Sequence, residues 1–211
     1  MDYVSLLKSK IGEIPKPGLS AQLKMAPPTR LDKKLPLPAI PKNVRYAAVM
    51  MLLYPAENGT LHFCLIQRTT YEGKHSGQIS LPGGKKEKND SDFWATALRE
   101  TEEEIGIDSK KIKLITSLSS TYIPPSNFYV YPYLAVVDHR PLFTIEKKEV
   151  DHLIEIPITD LLDTKSMTTE PIKASYMKEI EVPVFLFHPY KVWGATAMIL
   201  AEAREMILLA K

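Results

Sequence analysis

The segment Arg99-Glu100-Thr101-Glu102-Glu103-Glu104-Ile105-Gly106-Ile107 constrains this chain more than any other, because four carboxylates crowd into five residues of helical composition. Residues 92–105 contain neither Gly nor Pro, and Gly106 follows as a natural stop, so a helix is expected there. On a helix, positions i, i+3 and i+4 share a face. Glu100, Glu103 and Glu104 are therefore expected to converge, with Glu102 pointing away. Like charges so placed repel, and a hard divalent cation, Mg2+ or Mn2+, suits such an all-oxygen set. A solvated acidic helix face is the other reading of the same residues. The flanks favour the first: Leu81-Pro82-Gly83-Gly84 comes shortly before the helix, and glycines there let backbone groups approach a metal or a phosphate closely.

Around this helix the hydrophobic pattern lays out a layered domain. Residues 46–54 read as a strand buried on both faces, and Glu57-Asn58-Gly59-Thr60 as a hairpin turn into a strand over 61–67. Strands follow at 112–118, with Ile112, Leu114 and Thr116 on one face, at 129–137 and at 150–156. A short helix at 158–162, a strand at 182–187 and a closing helix over 193–210 complete the order; Trp193, Ala197, Leu200, Ala201 and Met206 face the core. Strands, a central helix, more strands and a last helix predict an α+β fold, layered as α/β/α.

Upstream, seven prolines between positions 15 and 41 exclude a continuous helix or a central strand and predict an extended arm. Before it, Val4, Leu6, Leu7 and Ile11 suit a short amphipathic helix that packs on the domain or on a second subunit, which leaves a homodimer open. The expected division is residues 1–44 for helix and arm, and 45–211 for the catalytic-type domain.

Composition narrows the partners. A hydrophobic fraction of 45% and a charged fraction of 25% are those of an ordinary globular protein. The formal net charge of +2 does not announce a nucleic-acid partner, and it suits an anionic small molecule equally well. The single cysteine, Cys64, lies in the apolar run Phe63-Cys64-Leu65-Ile66 and reads as a core thiol rather than a nucleophile. No stretch approaches the roughly 20 apolar residues of a membrane span, and the first residues lack the pattern of a secretory signal, so a cytoplasmic location without membrane contact is expected.

Arg99, Glu100, Glu103, Glu104, Gly106 and Ile107 resemble the C-terminal half of the Nudix box, GX5EX7REUXEEXGU, with Thr101 where an aliphatic residue is usual. Between Gly84 and Arg99 there is one residue more than the box allows, which places Lys85 in its glycine slot and Ser91 in its glutamate slot. The coenzyme A diphosphatase-like branch of the Nudix superfamily carries the same extra residue. Its pattern resembles Pro82-Gly83-Gly84, Glu87, Asp90 and Ala97-Leu98-Arg99-Glu100, and its upstream signature resembles residues 68–84 at identical spacing. Glu72, Gly73 and Leu81 depart from that signature; Trp193-Gly194-Ala195-Thr196 resembles a segment opening the branch's last helix.

The resemblance implies a Nudix-type sandwich with a mixed central sheet, and water attack on a phosphorus of a nucleoside diphosphate linked to a second group. Coenzyme A or an acyl form, cut to 3′,5′-ADP and (acyl-)4′-phosphopantetheine, is the first substrate reading. ADP-ribose, dinucleotides or oxidised nucleotides are the alternative, and a non-catalytic Nudix binding module is a further one. It also implies Glu100, Glu103, Glu104 and a Gly84 backbone group as metal ligands for Mg2+ or Mn2+. Glu103 or Glu104, or a loop carboxylate such as Glu149, would take the proton of water. Arg99 would pair with Asp90 and fix loop to helix. Arg68, Lys74, His75 and Gly83 would receive the substrate's phosphates, and Tyr122, Phe128 and Tyr129 read as core aromatics or as a surface for adenine.

Overall fold

A computed structural model of the chain describes residues 10–30, 40–69, 77–174 and 177–211. The expected positions Val4, Leu6, Leu7, Pro36, Pro38, Lys74 and His75 lie outside the described residues.

The strand expected at 46–54 is β1 (Arg45–Pro55), and its alternation decides the layering. Ala48, Met50, Leu52 and Tyr54 point to one side of the sheet, and Ala47, Met51 and Leu53 to the other, each into its own buried cluster. Both faces of β1 are therefore covered, at roughly 1.5–3 kcal/mol for each large apolar side chain removed from water. β2 (Leu61–Arg68) pairs antiparallel with β1, and β7 (Phe128–Val136) pairs parallel on the other side, which makes the sheet mixed. With β3 (Ile79–Ser80) and β5 (Lys113–Ser117), five strands run in the order β3-β2-β1-β7-β5. Three more complete an eight-stranded sheet: β4 (Gly83–Lys85) is held on β1, β6 (Thr121–Ile123) on β7, and β8 (Val150–Pro157) on β2.

Two helices cover the faces. Helix α2 (Phe93–Ile105) lies over the side lined by Ala48 and Met50, and α4 (Gly194–Leu209) over the other with Ala197, Leu200, Ala201 and Met206 buried. α3 (Ile158–Leu162) leads from β8. A second, three-stranded antiparallel sheet of β9 (Met167–Ala174), β10 (Met177–Phe187) and β11 (Tyr190–Trp193) was visible in the sequence only as its central portion.

Two expectations need correction. The proline-dense stretch is not a uniformly extended arm. It forms helix α1 (Leu19–Gln22) and 3-10 turns at Leu23–Met25 and Pro28–Arg30, and Ala21, Met25 and Ala26 are buried. Pro17 precedes α1 and Pro28 opens a turn, positions where the missing N–H is not required. In β5, a register shift between Leu114 and Thr116 breaks the alternation: Leu114 is 41% exposed and Ile115 packs against the core instead.

Candidate active site

Helix α2 begins and ends where its sequence dictates. Asp92 caps the start, its side chain accepting from the Ala95 N–H at 2.7 Å, and Gly106 closes the end in the left-handed conformation at φ 74°. Thr101, on the buried side, donates its hydroxyl to the Met50 sulfur at 3.8 Å, which accommodates a polar residue where the box has an aliphatic one.

The buried face of α2 carries Glu104 down onto the Gly83-Gly84 strand. Its Oε2 accepts the Gly83 N–H at 2.7 Å, and its Oε1 lies 3.0 Å from Arg68 Nη2. That Nη2 donates instead to the Gly83 carbonyl at 2.6 Å, so Oε1 receives no aligned hydrogen bond although it is buried. Burial pushes the Glu104 carboxyl up to about 7, against the opposing pull of Arg68 and the Gly83 N–H. One turn earlier, the Glu100 carboxylate fills the place a side chain would take at Gly84: a Cβ there would meet Glu100 Oε2 at 2.3 Å. A side chain at Gly84 would have to displace that carboxylate. Burial also raises the Glu100 pKa, with Arg99 opposing.

Arg99 joins helix to loop. Its Nε and Nη2 reach the two oxygens of Asp90 at 3.0 and 3.1 Å, and Nη2 also donates to the Lys85 carbonyl. The Glu87 N–H and the Thr96 hydroxyl complete the Asp90 carboxylate, which Arg99 above all holds well below the usual range. Nη1 of Arg99 lies 2.8 Å from Glu103 and 3.0 Å from Glu100.

Glu100 and Glu103 thus meet at one nitrogen of Arg99, Glu103 as an i,i+4 pair with its side chain 56% exposed, while Glu100 and Glu104 pack against the glycines. Among the described residues no three carboxylate, imidazole or thiol groups already sit at ligand spacing. Arg68 and Arg99 supply positive charge to these carboxylates. Four carboxylates, Asp90, Glu100, Glu103 and Glu104, still face two guanidiniums, so a negative excess remains among the described residues. With Glu104 Oε1 buried without an aligned donor and the Glu100 carboxylate packed over Gly84, that donor set fits a hard divalent cation.

Glu149 approaches from a separate segment. It is exposed, and its charge contributes to raising both Glu100 and Glu104. Backbone bonds hold this segment in place: Thr144 N–H donates to Ile105 O, Glu146 N–H to Glu104 O, and Thr69 N–H to Glu149 O. Of the aromatics considered for adenine, Phe128 lies under the Arg45 guanidinium at 4.1 Å, and the Tyr122 and Tyr129 hydroxyls are bonded to Asn127 and Ser120. Cys64 is fully buried, with its thiol pushed up to about 12 by desolvation, which removes it from the chemistry.

A family model for the NUDIX domain matches residues 44–178 of this chain. The chain belongs to the Nudix family. Among curated Nudix relatives, "Nudix hydrolase 22, chloroplastic" of Arabidopsis thaliana is 31% identical over 168 residues, covering 76% of this chain and 55% of that protein. "Mitochondrial coenzyme A diphosphatase NUDT8" of Mus musculus is 35% identical over 129 residues, covering 60% of this chain and 61% of that protein. The Nudix chain described here thus spans a little over half the length of these relatives. A solved MutT/nudix family protein from Enterococcus faecalis superposes with a TM-score of 0.55 at 19% identity, over 99% of this chain and 75% of that one, and supports the Nudix fold. Among the described residues no helix is long and apolar enough to cross a membrane.

Proposed function

We propose that this Nudix chain hydrolyses the diphosphate bond of a nucleoside diphosphate derivative, with coenzyme A or an acyl-coenzyme A as substrate and Mg2+ or Mn2+ bound. The observation that carries the reaction class is the pair Glu100 and Glu104 packed on Gly83-Gly84, where a buried oxygen without an aligned donor faces an excess of negative charge. The substrate reading is supported by the signature over residues 68–84 and by the likeness to the mouse coenzyme A diphosphatase.

Glu100, Glu103, Glu104 and a Gly84 backbone oxygen would hold the cation. When bound, it polarises phosphorus, screens the diphosphate and lowers the pKa of water. The chain's residues do the rest. Arg99 fixes the loop through Asp90, so that helix and glycines keep one spacing. Glu149 would accept the proton of the attacking water, and Glu104, its carboxyl raised by burial, is the alternative acceptor. Lys74 and His75 complete the phosphate-binding proposal.

A substrate panel of coenzyme A, acyl-coenzyme A, ADP-ribose and dinucleotides, with Mg2+ or Mn2+ and products identified by mass spectrometry, tests both levels. The expected products are 3′,5′-ADP and 4′-phosphopantetheine, with the thioester of an acyl form intact. Turnover of ADP-ribose alone would remove the coenzyme A reading. Full activity in chelator, or in both Glu103→Gln and Glu104→Gln, would remove the metal site.

A further inference from the structure

We infer that Arg68 is a positioning residue that clamps Glu104 and Gly83 together for metal binding, and that it does not serve as a grip for the substrate's phosphates. The inference rests on the metal-dependent reading above. Arg68 ends β2, and one nitrogen, Nη2, serves two neighbours: it donates to the Gly83 carbonyl at 2.6 Å and lies 3.0 Å from Glu104 Oε1. The Gly83 N–H donates to the other Glu104 oxygen at 2.7 Å. Guanidinium, glycine peptide and carboxylate thus close a ring across β2, β4 and α2.

Each member of the ring is confined. Gly83 admits no side chain, since a Cβ at φ +143° would meet the Ala48 carbonyl at 2.3 Å. The Glu104 side chain is 1% exposed, so its charge depends on the guanidinium beside it. A phosphate that drew Nη2 away would strip the Gly83 carbonyl of its donor and the carboxylate of its cation together. The direction of the Nη2–H matters as well: aimed at Gly83 O, it leaves Glu104 Oε1 without an aligned donor and open to a metal. A lysine keeps the charge, but its Nζ ends one bond short of the position of Nη2 and cannot meet both neighbours without a shift.

The test measures Mn2+ binding to the purified full chain without substrate, by the electron paramagnetic resonance signal of free Mn2+, alongside steady-state kinetics at saturating Mn2+. In Arg68→Lys and Arg68→Gln the Mn2+ dissociation constant is expected to rise about tenfold or more, as for other groups that orient metal ligands, with kcat lowered and KM within about twofold of wild type. Wild-type Mn2+ affinity in both variants, whatever their KM, overturns the inference, and so does a tenfold KM rise at saturating Mn2+. Thermal melts identify a variant that fails to fold. The wild type then decides by NMR: the Arg68 side-chain N–H resonances should shift with Mg2+ and stay in place on adding 3′,5′-ADP, and the opposite pattern overturns the inference. Absence of Mn2+ binding by the wild type would overturn the metal-dependent reading with it, whereas Mn2+ binding that survives both substitutions overturns the role of Arg68 alone.

Discussion

The backbone N–H of Glu146 donates to the carbonyl of Glu104 at 3.1 Å, so the segment that carries Glu149 is fastened to the helix turn that carries the most buried site carboxylate. With Thr69 holding the carbonyls of Lys148 and Glu149 from the other side, Glu149 is placed by backbone contacts at both ends. Glu149→Gln is expected to lower kcat by roughly 10² or more with little change in KM, as for loss of a general base or a metal contact. Wild-type rates at saturating substrate across the pH profile would take Glu149 out of the site.

Gly106 gives the same segment its passage. Its φ of +74° suits glycine, and a Cβ would lie 2.7 Å from both the Cβ and the carbonyl oxygen of Thr144. Gly106→Ala is expected to cost about 1–2 kcal/mol from the left-handed conformation alone, with more from the clash, and to lower kcat by displacing Glu149. Thermal melts and kinetics check both effects. A variant with unchanged melting temperature and kcat would show that the segment does not depend on this approach.

Acid should loosen the loop that Asp90 anchors. Arg99 depresses the Asp90 pKa in the folded state, so the pair's contribution is fully present above the unfolded value of about 4 and is lost as pH falls below it. Asp90→Asn should therefore lower the urea midpoint relative to wild type at neutral pH, and the gap should narrow below about pH 4. A gap that stays constant from neutral pH down to about pH 3 would contradict the linkage.

Glu202 in α4 fastens the N-terminal segment. Fully buried, its carboxylate accepts from Gly18 N–H, the Gln22 side chain, and both the N–H and hydroxyl of Ser119. Glu202→Ala leaves these donors unpaired and is expected to destabilise by about 3 kcal/mol, with faster hydrogen exchange at Gly18 and Ser119. Exchange rates at those amides equal to wild type would show that the carboxylate is dispensable.

Local chemistry made much of this legible in advance. Alternating burial in β1, the Asp92 cap and the Gly106 stop each depend on a few neighbouring residues, and the observed elements follow them closely. Strands β3, β4 and β6 were not legible, since each has only two or three residues and exists through its pairing with a longer strand. Glu202 was equally hidden: a glutamate on an apolar helix reads as solvated until its donors are seen arriving from two remote segments.

By itself, the sequence determined that Glu100, Glu103 and Glu104 stand within one helix turn of each other, that glycines lie before and after them, and that Arg99 is their neighbour. It could do so because helix periodicity is a short-range property of the chain. Only the tertiary structure decided how those charges are shared. Glu104 is buried between Arg68 and Gly83, Glu100 packs over Gly84, and Glu149 is brought in from more than forty positions away. The physical reason is that desolvation and ion pairing depend on what the fold packs around a carboxylate, and those partners come from β2, β4 and a distant loop whose spacing in sequence carries no trace of contact.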